Sequence, residues 1–519
     1  MKRLLLTSTF RPFSEIENPY DAEGTYAEFF RAHLTTNEPL CIMGDNRRVG
    51  LHFIASNLDD TEITVLENPT FEEFAKELKK GYDFAGVSCE VTTFQKAQRM
   101  IQEAKSNNTI TLVGGCGACV PDWKNEDSLD HLVMGEGAQE ISKKLSIPMK
   151  AKKFIHPVII NDSSTLLGMP LEKVAYVATG LGCEHGCEFC STSSFYDCEH
   201  IPLFESGKEL AEYFAKVHTL TGVKSFTIFD EDFLNNKEFI IEMGNALEKI
   251  ELPVELNCFA SAKSVSQFNY DYLRIIGISS IWLGVESKQA KYKKLGRQDL
   301  KEMFKSLRNT GIKTVGSIII GYDFHTKEAI EEDISYLISL RPDLCQVKLY
   351  TPYPDTPSFK KLSRQGRITC TDWKYYNGNY LTFQHPHFDA PQIEKIRHDA
   401  EARVYNSLGP SVLRAVETEM NGLLHAREMA NKDKIWSMRL DDAAKRISLY
   451  GSVLPILLKK CNDHTEMGQR IYQQCLELSD TNVFYRTAKR LGASLLTLHE
   501  PPAARTRKTE YPIKQGVLI

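Results

Sequence analysis

The sequence has no uninterrupted apolar run near the roughly 18 residues that a membrane-spanning helix needs, so no transmembrane segment is expected. Its start, MKRLLLTSTFRPF, has only a short apolar stretch broken by Thr and Ser, which is too little for a secretory leader. An excess of one charge is also lacking: 63 Lys and Arg stand against 68 Asp and Glu, a formal net charge of −5. That balance excludes a general polyanion binder, and no nucleic-acid partner is expected. Wholesale disorder is excluded by 42% hydrophobic and 25% charged residues. A disulfide scaffold does not suit 13 cysteines spread over 519 residues, and the odd count fits a reducing, cytoplasmic setting. The same length exceeds one compact core and predicts two or three domains.

What is present alternates. Arg3–Thr7, Glu62–Leu66, Phe84–Cys89, Ile110–Gly115 and His131–Gly135 read as strands, with a crossover helix over Thr92–Lys105. This predicts an α/β fold: a Rossmann-like, doubly wound parallel sheet over residues 1–141. Its ligand edge belongs at the carboxyl ends of the strands, where two glycine corners fall, Gly114–Gly115 and Gly135–Glu136–Gly137. Residues 142–172, with Pro148, Pro157 and Pro170, read as a linker. From 173 to 388 a longer series begins: Val174–Thr179, Ser225–Phe229, Val254–Phe259, Ile278–Val285, Thr314–Gly321 and Gln346–Tyr350. Six strand–helix repeats predict a partial (β/α)6 barrel with its chemistry at the carboxyl ends of the strands. Residues 389–519 read as a helical region opened by Asp389–Ala390–Pro391–Gln392, and Arg505–Lys514 as a frayed basic tail.

The cysteines that carry information are Cys183, Cys187 and Cys190 in GCEHGCEFC, spaced CxxxCxxC directly after the first barrel strand. Three thiolates in one loop can hold three irons of a 4Fe–4S cluster and leave the fourth open to a substrate. The alternative is zinc, with Cys198, His185 or His200 as fourth ligand; structural zinc usually shows two CxxC pairs, or CxxC with a His pair.

The loop, with aromatic Phe189 before its last cysteine and a partial barrel after it, resembles the radical S-adenosylmethionine (SAM) enzymes. The resemblance implies that SAM chelates the open iron and is cleaved, after one-electron reduction, to methionine and a 5′-deoxyadenosyl radical. It implies an external one-electron donor such as flavodoxin or ferredoxin. In FDEDF the resemblance makes Glu231 the choice to receive the SAM amino group, with Asp230 or Asp232 as alternatives and a solvated acidic turn as the plain reading. It places Glu286 of GVES beside the cofactor, and Gly316 and Gly321 of GSIIIG on a strand holding the adenine. LYTPYPDTP at Leu349–Pro357, GRI at 366–368 and DW at 372–373 resemble the narrower cobalamin-domain branch, with Asp355 where that branch often has Gly.

FAGVSC, LVGGCGA and VMGEG are similar to the cobalamin-binding domain of that branch, which implies cobalamin against Gly114, Gly115, Gly135 and Gly137. The lower-ligand motif DxHxxG departs: Asp45–Gly50 is DNRRVG, with Arg47 where a ligating His would stand. A protonated guanidinium has no lone pair for cobalt, so no imidazole from this motif is expected below it. His52 is expected to be surface or core, residues 10–45 an insertion, and Cys116 and Cys119 small residues packed near the corrin face rather than a redox or metal pair.

Three functions remain open. One is cobalamin-dependent methylation of an unactivated carbon in a small-molecule or lipid substrate. Another is radical ring formation, carbon–carbon coupling or rearrangement without methyl transfer. The third is a non-catalytic iron–sulfur redox sensor, which needs no SAM cradle. Tyr375, Tyr376, His385 and His387 are candidates to line the substrate cavity, with core packing as the alternative.

Overall fold

In a computed structural model, the described residues are 2–11, 42–43, 47–161, 165–166, 169–170, 173–296, 298–431, 434–458, 465–478, 506–511 and 517–518. Most of the expected 10–45 insertion, together with Asp45, Cys41 and Cys461, lies outside them.

The five expected N-terminal strands form: β1 Lys2–Ser8, β2 Thr61–Glu67, β3 Phe84–Ser88, β4 Ile110–Gly114 and β5 His131–Leu132. They pair in parallel in the order β2-β1-β3-β4-β5, a doubly wound sheet whose direction reverses beside β1. Both faces are covered, so the strands read as apolar runs rather than alternations; Leu4, Leu5 and Leu6 are all buried.

Residues 142–172 are not a bare crossing. Val158–Asn161 is a fully buried strand, β6, that pairs antiparallel with the first barrel strand. The barrel follows with β7 Val174–Ala178, β8 Ser225–Phe229, β9 Glu255–Ala260, β10 Ile278–Gly284, β11 Lys313–Ile320 and β12 Leu344–Leu349. These six are parallel and adjacent in chain order, and helices such as Lys237–Ile250 and Lys327–Leu340 cover their outer side. On Lys237–Ile250 the apolar spacing buries Ile240, Met243 and Leu247, as the helical period requires.

After residue 389 come helices Ala390–Leu408, Ser411–Met429, Lys434–Leu458 and Thr465–Leu478. The first carries the expected capping box, with Asp389 accepting from Gln392 N and Gln392 answering to the Asp389 backbone. Buried Arg439 fastens this region under the barrel, bonding to the carbonyls of Val254 and Ile275 and to Glu255.

The frayed tail needs correction. Arg507–Tyr511 is a strand, β13, antiparallel to β2 over Ile63–Glu67, with Lys508 paired to Glu77 and Glu510. Val517–Leu518, β14, joins β6 at the edge of the barrel sheet. Arg507 and Lys508 do not fray, because β2 offers an open edge and Glu77 a buried carboxylate.

Candidate active site

Cys183, Cys187 and Cys190 sit on the loop after β7, and all three line a cavity of about 450 Å³ at the carboxyl ends of the barrel strands. Ser193 holds the loop: its Oγ donates to the Cys183 carbonyl at 2.7 Å and accepts from Gly186 N at 3.1 Å. Burial pushes the thiols up, Cys183 to about 12 and Cys190 to about 11, the latter also through Glu231. Unliganded, they remain protonated; a bound metal centre must displace those protons. Among the described residues no three His, Cys, Asp or Glu groups converge on one ion. Three thiols from one loop lining a cavity of this size suit a polynuclear cluster. The candidate fourth zinc ligands lie against other groups: His185 Nε2 is 2.6 Å from Asp232, His200 Nε2 3.1 Å from Asp230, and the Cys198 sulfur 3.7 Å from Ser193 Oγ.

The FDEDF triplet is divided by the same contacts. Asp230 takes Thr179 Oγ1 and His200; Asp232 takes His185, Ser261 N and Ser264 Oγ. Of the three acidic residues only Glu231 faces the cysteine cavity. Its side chain is open to the cavity interior but ringed by protein, and that desolvation raises its pKa.

Glu286 also lines the cavity, at φ +57, a left-handed conformation rarely held by a residue other than glycine. Its Oε1 accepts from Lys294 Nζ at 2.6 Å, and that nitrogen stands 5.5 Å from the Phe189 ring centroid. Burial works against the ammonium of Lys294, but Glu286 and the thiols of Cys187 and Cys190 raise its pKa. Phe189 packs among Tyr292, Tyr322 and Tyr350. A Cβ on Gly284 would stand 2.4 Å from Glu286 Oε1, so only glycine leaves room for this carboxylate.

Gly316 and Gly321 are not among the residues that line the cavity. On β11 the inward positions are Ser317 and Ile319; Gly316 is out of phase and lies against Leu337 and Pro342 of the outer layer. Gly321 lies past the strand end at φ +85, beside Ile393. The tyrosines and histidines after the barrel are also placed elsewhere: Tyr376 is core, His385 bonds the Tyr322 carbonyl, and Asn377 and Gly378 reach the cavity instead. Lys294, Trp282, Gln346 and Lys348 were not singled out from the sequence. The last three follow the two-residue alternation of their strands, the signal that would have found them. Asp355 stands at φ +66, a left-handed backbone of the kind glycine favours.

A second cavity, about 180 Å³, opens at the carboxyl edge of the N-terminal sheet. Gly114, Gly115, Gly135 and Gly137 all line it, with Ala178, Leu181, Phe195 and Tyr196 from the barrel on the other side. Gly115 has φ +83, and a Cβ there would stand 2.7 Å from the Cys89 carbonyl oxygen. Arg47 is not in its lining: the guanidinium is buried against Glu67 at 3.1 Å and the Ile160 carbonyl at 3.2 Å. His52 is core, 2.9 Å from Glu67 and 2.8 Å from the Tyr511 hydroxyl. Cys116 and Cys119 flank a short turn packed on Cys89, where a Cβ on Gly117 would meet the Cys89 sulfur at 2.5 Å.

A doubly wound domain, a six-stranded open barrel and a three-cysteine loop after its first strand together define an iron–sulfur radical enzyme architecture. Residues 177–337 match the Radical SAM superfamily, so the chain carries a radical SAM domain, with a Rossmann-like domain before the barrel. Its relatives include an uncharacterized methyltransferase of Pyrococcus horikoshii, 24% identical over 413 residues, spanning 70% of this chain and 88% of that one. An anaerobic magnesium-protoporphyrin IX monomethyl ester cyclase of Cereibacter sphaeroides is 28% identical over 215 residues, 40% of this chain and 34% of that one. In fold the chain is similar to TsrM from Kitasatospora setae, a radical S-adenosylmethionine methyltransferase solved with cobalamin and a [4Fe-4S] cluster. The TM-score is 0.52 and identity 13%, covering 92% of this chain and 100% of that one. The cofactors of the class are the 4Fe–4S cluster and SAM, and Cys183, Cys187 and Cys190 fit the first of them. Among the described residues no helix is long and apolar enough to cross a membrane.

Proposed function

We propose that this enzyme methylates an unactivated carbon in a cobalamin-dependent radical reaction, using one SAM as radical source and another as methyl source. The observation that carries this reading is the pairing of two cavities at the facing carboxyl edges of two sheets. One is walled by three cysteines, the other by six glycines and the barrel's first loops. When bound, the cluster and SAM supply the radical chemistry; the chain's own residues bind, orient and exclude water. Cys183, Cys187 and Cys190 hold the iron. Glu231, the carboxylate of its triplet that lines this cavity, accepts the SAM amino group, and Glu286 with Lys294 forms a charged pair in the same lining. The aromatic packing of Phe189, Tyr292 and Tyr322 keeps water from that side.

Cobalamin fits the second cavity in part. At about 180 Å³ the slot is below the 300–1,000 Å³ of a usual ligand pocket, so it would hold only one portion of a large cofactor. Gly135, with nothing within 4 Å of a built Cβ, leaves an open cradle there. Arg47, buried against Glu67, would supply no ligand to a corrinoid bound there. An external one-electron donor and a small-molecule or lipid substrate complete the reading, in a cytoplasmic setting.

Anaerobic reconstitution with iron, sulfide and hydroxocobalamin tests it. Retained corrinoid and 5′-deoxyadenosine after reduction with dithionite support the proposal. Deoxyadenosine without retained corrinoid favours ring formation, coupling or rearrangement, and a reduced cluster that never cleaves SAM leaves the redox sensor.

A further inference from the structure

Glu286 holds a left-handed backbone that its side chain disfavours, so something must fix the turn around it. Part of the restraint is local: the Ser317 carbonyl accepts both Val285 N at 2.8 Å and Glu286 N at 3.0 Å. The rest comes from a histidine outside the cavity lining. His325 is fully buried, and both ring nitrogens are used. Nδ1 accepts from Gly321 N at 2.9 Å and therefore carries no proton. The proton is on Nε2, which lies 3.1 Å from Ser287 Oγ and 3.3 Å from Asp333 Oδ2. Asp333, also buried, accepts Lys288 N through Oδ1 at 2.9 Å. One imidazole and one carboxylate thus tie the turn after β10 to the end of β11 and to helix Lys327–Leu340.

We propose that His325, backed by Asp333, is a positioning residue that clamps the Val285–Lys288 turn and aims the Glu286 carboxylate into the cysteine cavity. It touches none of the lining itself, and no motif in the sequence pointed to it. The inference rests on the reading of Glu286 as a SAM contact.

The test is SAM affinity of the reconstituted holoenzyme, read from the change SAM makes in the EPR spectrum of the reduced cluster, with iron content measured alongside. Ser287→Ala removes one hydroxyl from the clamp and little volume; His325→Asn keeps an acceptor for Gly321 N but no longer reaches Ser287. Both are expected to weaken SAM binding about tenfold, the equivalent of one charge-neutral hydrogen bond, with iron content unchanged. His325→Gln, whose amide reaches toward Ser287, is expected to retain more affinity than His325→Asn. Glu286→Gln weakens binding as well, and Glu286→Gln with Ser287→Ala binds no worse than Glu286→Gln alone, because the clamp acts through Glu286. Wild-type affinity in Ser287→Ala, or losses that multiply in the double variant, overturns the clamp while the cofactor reading stands. Wild-type affinity in Glu286→Gln overturns the reading of Glu286 and the clamp with it.

Discussion

Single residues divide here by what their contacts leave available. Asp230 and Asp232 are occupied by histidine, serine and threonine partners, and Glu231 between them faces the cavity. Glu231→Gln is therefore expected to lower SAM affinity with a normal thermal midpoint, and Asp232→Asn to lower the midpoint; calorimetry and SAM titration separate them. Cys187→Ala should abolish both the cluster absorbance and deoxyadenosine formation. Arg47 illustrates a different economy. Removing it as Arg47→Ala leaves Glu67 buried without its main cation and is expected to cost about 3–5 kcal/mol in a denaturant titration. Burial alone would raise the Glu67 carboxyl, but His52 and Arg47 hold it at about 2 instead of 4.5. A depressed carboxyl stabilises the fold above its unfolded pKa, so this contribution is whole above pH 4.5 and disappears as pH falls toward 2. Acid unfolding of Glu67→Gln should be flatter over that window.

Elements in this chain were legible where period and length agreed. All five N-terminal strands and all six barrel strands were readable, because strands buried on both faces are short apolar runs bounded by polar turns. The strands β6 and β13 were not. Val158–Asn161 is only four residues long between proline-rich stretches, and Arg507–Tyr511 is charged and becomes a strand only because β2 offers it an edge. Deleting residues 506–519 uncovers that edge and removes the Tyr511–His52 bond. The thermal midpoint should fall by several degrees, at about 2–4 °C per kcal/mol, and size-exclusion chromatography should show self-association.

Across the whole molecule the two domains share a seam. Trp373 after the barrel donates to Asp122 at 3.1 Å and packs with Phe94, Trp123 and Tyr376 in a core that crosses from one domain to the other. Arg47 reaches the Ile160 carbonyl of the barrel sheet, and the last described strands join one sheet each. The glycine cavity opens on this seam, so occupancy there should resist domain separation. Hydroxocobalamin is expected to raise the thermal midpoint, and its visible spectrum when bound should be unchanged by Arg47→His.

The sequence by itself determined the fold class and the cluster loop, because hydrophobic period and cysteine spacing are local properties of the chain. It also placed Glu231 and Glu286 at the ends of the right strands. Which carboxylate of FDEDF lines the cysteine cavity, which face of β11 looks inward, and that Arg47 turns into a buried pair were decided only by tertiary structure. Each depends on a partner distant in sequence: His185 and His200 for the aspartates, Pro342 for Gly316, Glu67 for Arg47. Spacing along a chain fixes which atoms can meet in one loop; burial and pairing across elements decide what those atoms remain able to do.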